Sequence, residues 1–160
     1  GLRFFTVYGS WGRPDMAPFI FTKNIFDGVP LEVNNNGDMW RDFTHVDDIV
    51  QGIVGILDII PGYDSDWTVE DGTPASSSAP YKIYNIGHGS PINLMDFISE
   101  IELACGINAK KNFREMQPGD VYKTYADSKD LFIVTGYKPK ITLKEGVESF
   151  VSWYKDYYAK

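Results

Sequence analysis

Apolar and polar positions along this chain switch between a strand-like and a helical period, and the switches mark out its elements. Residues 2–7 are almost continuously apolar, interrupted by Arg3 and Thr6 and ended by Tyr8-Gly9. Such a run predicts a buried strand leading into a loop. Over 18–26, Phe19, Phe21, Ile25 and Phe26 recur at helical spacing until Gly28 ends the pattern. Residues 31–33 and 40–44 flank Asn36-Gly37-Asp38, which predicts two short strands joined by a turn. Asp47 and Asp48 put negative charge at the start of a predicted helix over 49–60. Residues 61–80, rich in Gly, Pro, Asp and Ser, read as an exposed loop, long for a compact domain. A strand is predicted over 81–86, and an amphipathic helix over 94–104, with Asn93 as its cap and Gly106 as its stop. A shorter helix follows Asp127-Ser128, and a last one covers 143–158, with Val147, Phe150, Val151 and Tyr154 on one packed face. Strands and helices alternate without an internal repeat, so the class is α/β and residues 1–160 read as one domain.

Composition narrows the partners. Hydrophobic residues make up 43% of the chain and charged residues 23%, the range of ordinary globular domains. A net charge of −7 argues against a nucleic-acid or anionic-membrane surface, both of which need a basic footprint. A small anionic ligand needs only one or two converging cations, so it stays open. Cys105 is the single cysteine, which excludes an intrachain disulfide, fits a reducing compartment and, from its apolar helical setting, predicts an inert buried thiol. No run reaches the roughly 18 apolar residues of a membrane helix, and no signal-peptide pattern opens the chain. Gly1-Leu2 leads directly into an apolar run, an abrupt start that suggests a segment of a longer protein.

Three segments are candidates for chemistry. Thr6 to Met16 follow the carboxyl end of the first strand, where open α/β sheets hold ligands. There Gly9 and Gly12 allow close backbone approach, and Arg13 offers a planar fork for carboxylate or phosphate, unless it is simply solvated. Arg41 lies in a strand beside aromatics and needs an anion, either a ligand or Asp42 or Asp47. Pro118-Gly119-Asp120 is a turn whose carboxylate suits sugar hydroxyls, although such turns are common on surfaces. His45 and His88 are isolated, with no metal-site spacing. There is no G-x-G-x-x-G after a strand, no phosphate loop ending in GK[ST] and no H-E-x-x-H.

Taken in order, these segments resemble the nucleotide-sugar epimerases of the extended short-chain dehydrogenase/reductase superfamily. Residues 2–9 are similar to the sixth strand of that fold and its following loop. Residues 41–48 (RDFTHVDD) are similar to its R-D-[FY]-x-[HY]-V-x-D signature, 84–87 (YNIG) to a strand end, and 117–121 (QPGDV) with Ala126-Asp127 to a later loop. The phrase FFTVYGSWGRPDM over 4–16 resembles UDP-glucuronate 4-epimerases, including enzymes of capsular polysaccharide biosynthesis. The resemblance implies the carboxy-terminal, substrate-binding portion of a Rossmann-type NAD enzyme, built of small mixed sheet pieces with packed helices. By it, Thr6 and Arg13 would contact the sugar, Arg13 addressing its carboxylate. Met16, Val33 and Asn34 would line the uridine pocket, Arg41 would meet the diphosphate, and Gln117 and Asp120 would hold the ribose or nearby groups. Tyr8, Gly9 and Ser10 would border the nicotinamide of NAD. Ser10 stands where proline is usual and Asn34 where an aromatic is common. The glycine-rich loop and the Tyr-x-x-x-Lys pair are expected upstream; neither Tyr8 with Gly12 nor Tyr81 with Asn85 forms such a pair. The implied picture is a cytoplasmic UDP-sugar-binding part, inactive and poor at binding NAD when alone, with a homo-oligomer possible. The other reading is a non-catalytic nucleotide-sugar-binding or assembly module, or part of a related UDP-hexose epimerase or dehydratase.

Overall fold

The first apolar run forms two strands rather than one. In the computed structural model, which describes residues 1–159, it divides at Phe5 into β1 (Leu2–Phe4) and β2 (Thr6–Tyr8). β1 lies parallel to β6 (Tyr84–Ile86), Leu2 opposite Tyr84, and β2 lies parallel to β5 (Phe43–His45), Thr6 opposite Phe43. The division lets one short stretch serve two separate partners. It also corrects the expectation of burial: β1 is paired on one side only, and Phe4 is 53% exposed.

The first helix, α1 (Ala17–Asp27), carries Pro18 in its opening turn, where the missing amide costs nothing. It ends at Gly28, whose left-handed backbone (φ 70°) returns its amide to the carbonyls of Asn24 and Ile25. The expected hairpin beyond it does not form. β3 (Leu31–Val33) runs parallel to β8 (Lys111–Phe113), whereas β4 (Trp40–Arg41) is antiparallel to β7 (Ile92–Asn93). Between β3 and β4, Asn35 and Asn36 both take left-handed backbone (φ 49° and 52°), which asparagine tolerates better than most residues, and the chain leaves in a new direction. β7 and β8 are too short and polar to carry a period of their own.

The remaining helices are α2 (Val46–Ile56), α3 (Leu94–Cys105), α4 (Lys129–Thr135) and α5 (Leu143–Tyr158). α2 stops four residues short of the expected end. Asn93 caps α3 by accepting the Met95 amide at 2.8 Å, and Thr142 with Glu145 forms a reciprocal capping box on α5. Residues 61–80 contain no helix or strand; their one ladder contact is the bridge Ser76–Lys82.

The main core lies where α1, α3 and α5 pack against β2, β3 and β5, around Phe43, Phe97, Ile98, Phe150 and Val151. Phe43 and Phe97 stack with centroids 3.9 Å apart. Gly146 lets α5 approach β2 closely, since any Cβ there would collide with the Tyr8 hydroxyl. A second cluster, with Ile49, Ile86 and Leu131, joins α2 and α4 to β6. Burying each such side chain contributes about 1.5–3 kcal/mol.

Candidate functional site

Tertiary structure brings five of the predicted substrate residues to one cleft of about 230 Å³, between the starts of α1 and β2 and the ends of β3 and β4. β2 contributes Thr6, the helix entry Met16, the end of β3 Asn34, β4 Arg41, and the loop after β8 Asp120. The apolar wall is formed by Phe21, Met39, Phe43 and Leu94. These four residues were not among the sequence candidates. Their apolar spacing reads as core, and it is their tertiary position at the edge of that core that turns them towards the cleft.

Arg41 is the cation of this cleft. Its Nη1 donates to the carbonyls of Trp40 (2.9 Å) and Tyr122 (3.3 Å), and it forms no ion pair among the described residues. The two acids that sequence offered as partners are engaged elsewhere. Asp42 is fully buried and accepts the amides of His88 (2.9 Å), Gly89 (3.0 Å) and Ala126 (2.9 Å). Asp47 is exposed and sits 3.6 Å from His45 Nδ1, which also caps α2 by accepting the Asp47 amide. The guanidinium, fixed by two carbonyls, keeps its other N–H groups for an anion. Two carboxylates share the cleft, and both have partners. Glu32 accepts from Asn112 (3.1 Å) and pairs with Arg114, contacts that in that order lower its pKa from the ordinary carboxylate value. Asp120 accepts from Asn34 Nδ2 at 3.1 Å, tying the turn Asn34–Gly37 to the loop after β8.

Four placements differ from expectation. Val33 is completely buried in the main core, because alternation along β3 turns its side chain away from the cleft. Gln117 is exposed outside the cleft and donates to the Glu115 carbonyl at 3.3 Å. The Tyr8 ring is buried, edge-on to Phe43, His45 and Phe97, and burial drives its hydroxyl pKa well up. Only the Tyr8 backbone is suited to a ligand. Arg13 lies outside the Thr6–Arg41 cleft, in a neighbouring apolar one of about 410 Å³ that also holds Gly9, Ser10 and Trp11. Met16 borders both clefts, so they share a wall. There Arg13 makes a two-pronged ion pair with Asp15.

A Tyr-x-x-x-Lys string does occur once, at Tyr125 and Lys129, contrary to its expected absence. It is not the acid–base pair of a helix: Tyr125 precedes α4 in irregular chain, Lys129 opens that helix, and both are exposed. The glycines of the Gly9–Gly12 loop make room for the protein's own packing, Gly9 against the start of α2. Gly9 has φ 139°, and a Cβ there would sit 2.6 Å from Val46 Cγ1. Among the described residues no group of His, Cys, Asp and Glu is arranged to hold a metal. No helix among them is long and apolar enough to cross a membrane.

Residues 1–66 match the model of the NAD dependent epimerase/dehydratase family. Over that stretch, which is less than half of the chain, the sequence is similar to that family. The similarity extends over the whole chain to longer proteins. The chain is 51% identical over its full length to Protein CapI of Staphylococcus aureus, covering 48% of that protein. It is 43% identical over 99% of its length to a probable UDP-glucuronate 4-epimerase of Rhizobium meliloti, covering 47% of it. The structure of UDP-glucuronic acid 4-epimerase from Bacillus cereus in complex with UDP-glucuronic acid and NAD superposes with a TM-score of 0.80 at 32% identity, over 98% of this chain and 45% of that one. The chain therefore spans about half the length of the curated relatives it matches.

Proposed function

We propose that this chain is the substrate-binding part of an NAD-dependent UDP-glucuronate 4-epimerase serving surface polysaccharide synthesis in the cytoplasm. The observation that carries the reading is the single cleft in which Thr6, Met16, Asn34, Arg41 and Asp120 meet from separate segments of an acidic chain. Arg41, free of carboxylate partners, faces the diphosphate, and Asp120 with Asn34 faces the ribose and base. Thr6 lies at the sugar end, with Arg13 across the Met16 wall as the partner of the uronate carboxylate. A doubly anionic ligand bound by one arginine at each end is a good electrostatic match.

NAD, if bound beside the sugar, would supply the hydride chemistry at C4 on which a 4-epimerase depends. The residues present fit one edge of that cofactor: the Tyr8–Ser10 backbone borders the apolar cleft beside the sugar end. Among the described residues there is no strand, glycine-rich turn and helix to hold its pyrophosphate, and no paired tyrosine and lysine to move the C4 proton. The role of this chain is to bind and orient. Alone it is expected to be inactive and to bind NAD poorly.

The reading is tested by calorimetric titration of this chain with UDP. Binding should be measurable, and Arg41→Ala should weaken it by about tenfold or more, the scale of a charge-assisted arginine–phosphate contact. Equal affinities of the two proteins would remove Arg41 from the diphosphate site. Turnover by this chain alone would overturn the division of labour proposed here.

A further inference from the structure

We propose that Asp15 is a specificity-determining residue: its carboxylate engages the Arg13 fork as a uronate carboxylate would, so that an acidic sugar must displace it to reach Arg13. The inference rests on the reading above that Arg13 addresses the uronate. Arg13 Nε donates to Asp15 Oδ1 at 3.0 Å and its Nη2 to Oδ2, the fork-to-carboxylate arrangement that a uronic acid would itself present. Each group confirms the other in its charged form: the pairing raises the Arg13 pKa and lowers that of Asp15.

The placement gives the pair somewhere to go. Both side chains are exposed, at 74% and 61%, so they can part without leaving an unsolvated charge. Pro14 stiffens the link between them, and Met16, next in sequence, walls both the Arg13 cleft and the Thr6–Arg41 cleft. A uronate seated against Thr6 would compete with Asp15 for the same fork. A neutral hexose offers no carboxylate, so it leaves the Arg13–Asp15 pair in place and gains nothing from Arg13. Asp15 thus lowers the affinity for the acidic sugar and leaves that for the neutral one unchanged, which narrows the preference between them.

Because exposed ion pairs are weak, the effect is modest, about two- to fivefold in affinity. The test compares Asp15→Asn and Arg13→Ala with the parent in the complete enzyme, titrating UDP-glucuronate, UDP-glucose and UDP at low and high salt. Asp15→Asn should tighten UDP-glucuronate by about two- to fivefold at low salt, less at high salt, and leave UDP unchanged. Arg13→Ala should weaken UDP-glucuronate and also leave UDP unchanged. If Arg13→Ala weakens the uronate but Asp15→Asn leaves it equal or weaker, the Asp15 inference fails and the site reading stands. If Arg13→Ala has no effect on the uronate, Arg13 is not its partner, and both ideas fall. A merely structural role for Asp15 would shift UDP together with the sugar nucleotide.

Discussion

At the scale of single residues, the acids of this chain divide by burial. Asp42 and Asp48 are fully buried and act as acceptors for backbone amides of distant segments, Asp48 serving Lys140 and Ile141 at 3.0 Å each. Removing such an acceptor strands its donors without water. Asp42→Ala orphans the Gly89 and Ala126 amides, while that of His88 keeps Thr44 Oγ1 at 2.8 Å; it should cost about 2 kcal/mol or more in chemical denaturation, and a loss below about 1 kcal/mol would show that the loops rearrange freely. Asp42 adjoins Arg41, so the same change should also loosen the fixed guanidinium. Cys105 behaves in the opposite sense. It is buried, with its thiol pushed up to about 11 by desolvation, so alkylation at neutral pH should be negligible until the protein is unfolded. Prompt labelling of the folded chain would contradict that burial.

At the scale of elements, helix ends were the most legible features. Gly28 and Gly106, Asn93, and the Thr142–Glu145 pair stand at the boundaries that the pattern predicts, because capping is local chemistry read within four residues. Asn93→Ala should cost about 1 kcal/mol, measured as a shift in denaturant midpoint at constant slope. Glu145 contributes to stability in a pH-dependent way. Its contacts with Thr142 lower its folded pKa below the unfolded value, so the stabilisation is present above the unfolded carboxylate range and is lost as pH falls through the folded value. Glu145→Gln should therefore flatten the acid limb of the melting profile, and an unchanged limb would remove the capping box as its source. The strands were much less legible. The hairpin expected around Asn36-Gly37 has the right turn residues, yet β3 and β4 pair with chain about 80 and 50 residues further on. Nothing within a three-residue strand specifies so remote a partner.

At the scale of the molecule, the exposed face of β1 and the outer side of α2 are apolar. Phe4, Val54 and Leu57 are 53%, 64% and 74% exposed. A half-paired strand with such a face tends to find further chain. Light scattering of this chain in isolation should show concentration-dependent association, relieved by Phe4→Lys, whereas a clean monomer at high concentration would show that the edge is tolerated.

Much of this protein was written in its sequence alone: the α/β class, the positions of the five helices among the described residues, the burial of Cys105, and the order of the segments that build the cleft. These depend on local period, local capping and motif order, which the chain carries directly. Tertiary structure decided which predicted residues meet. Thr6, Asn34, Arg41 and Asp120 come together, whereas Val33 turns into the core and Gln117 stays outside. It decided that Arg41 has no carboxylate partner among the described residues, since Asp42 is spent on distant amides, and that Arg13 has one in Asp15. Such facts depend on the facing of a strand and on competition among partners far apart in the chain, and that competition is resolved only when the chain is folded.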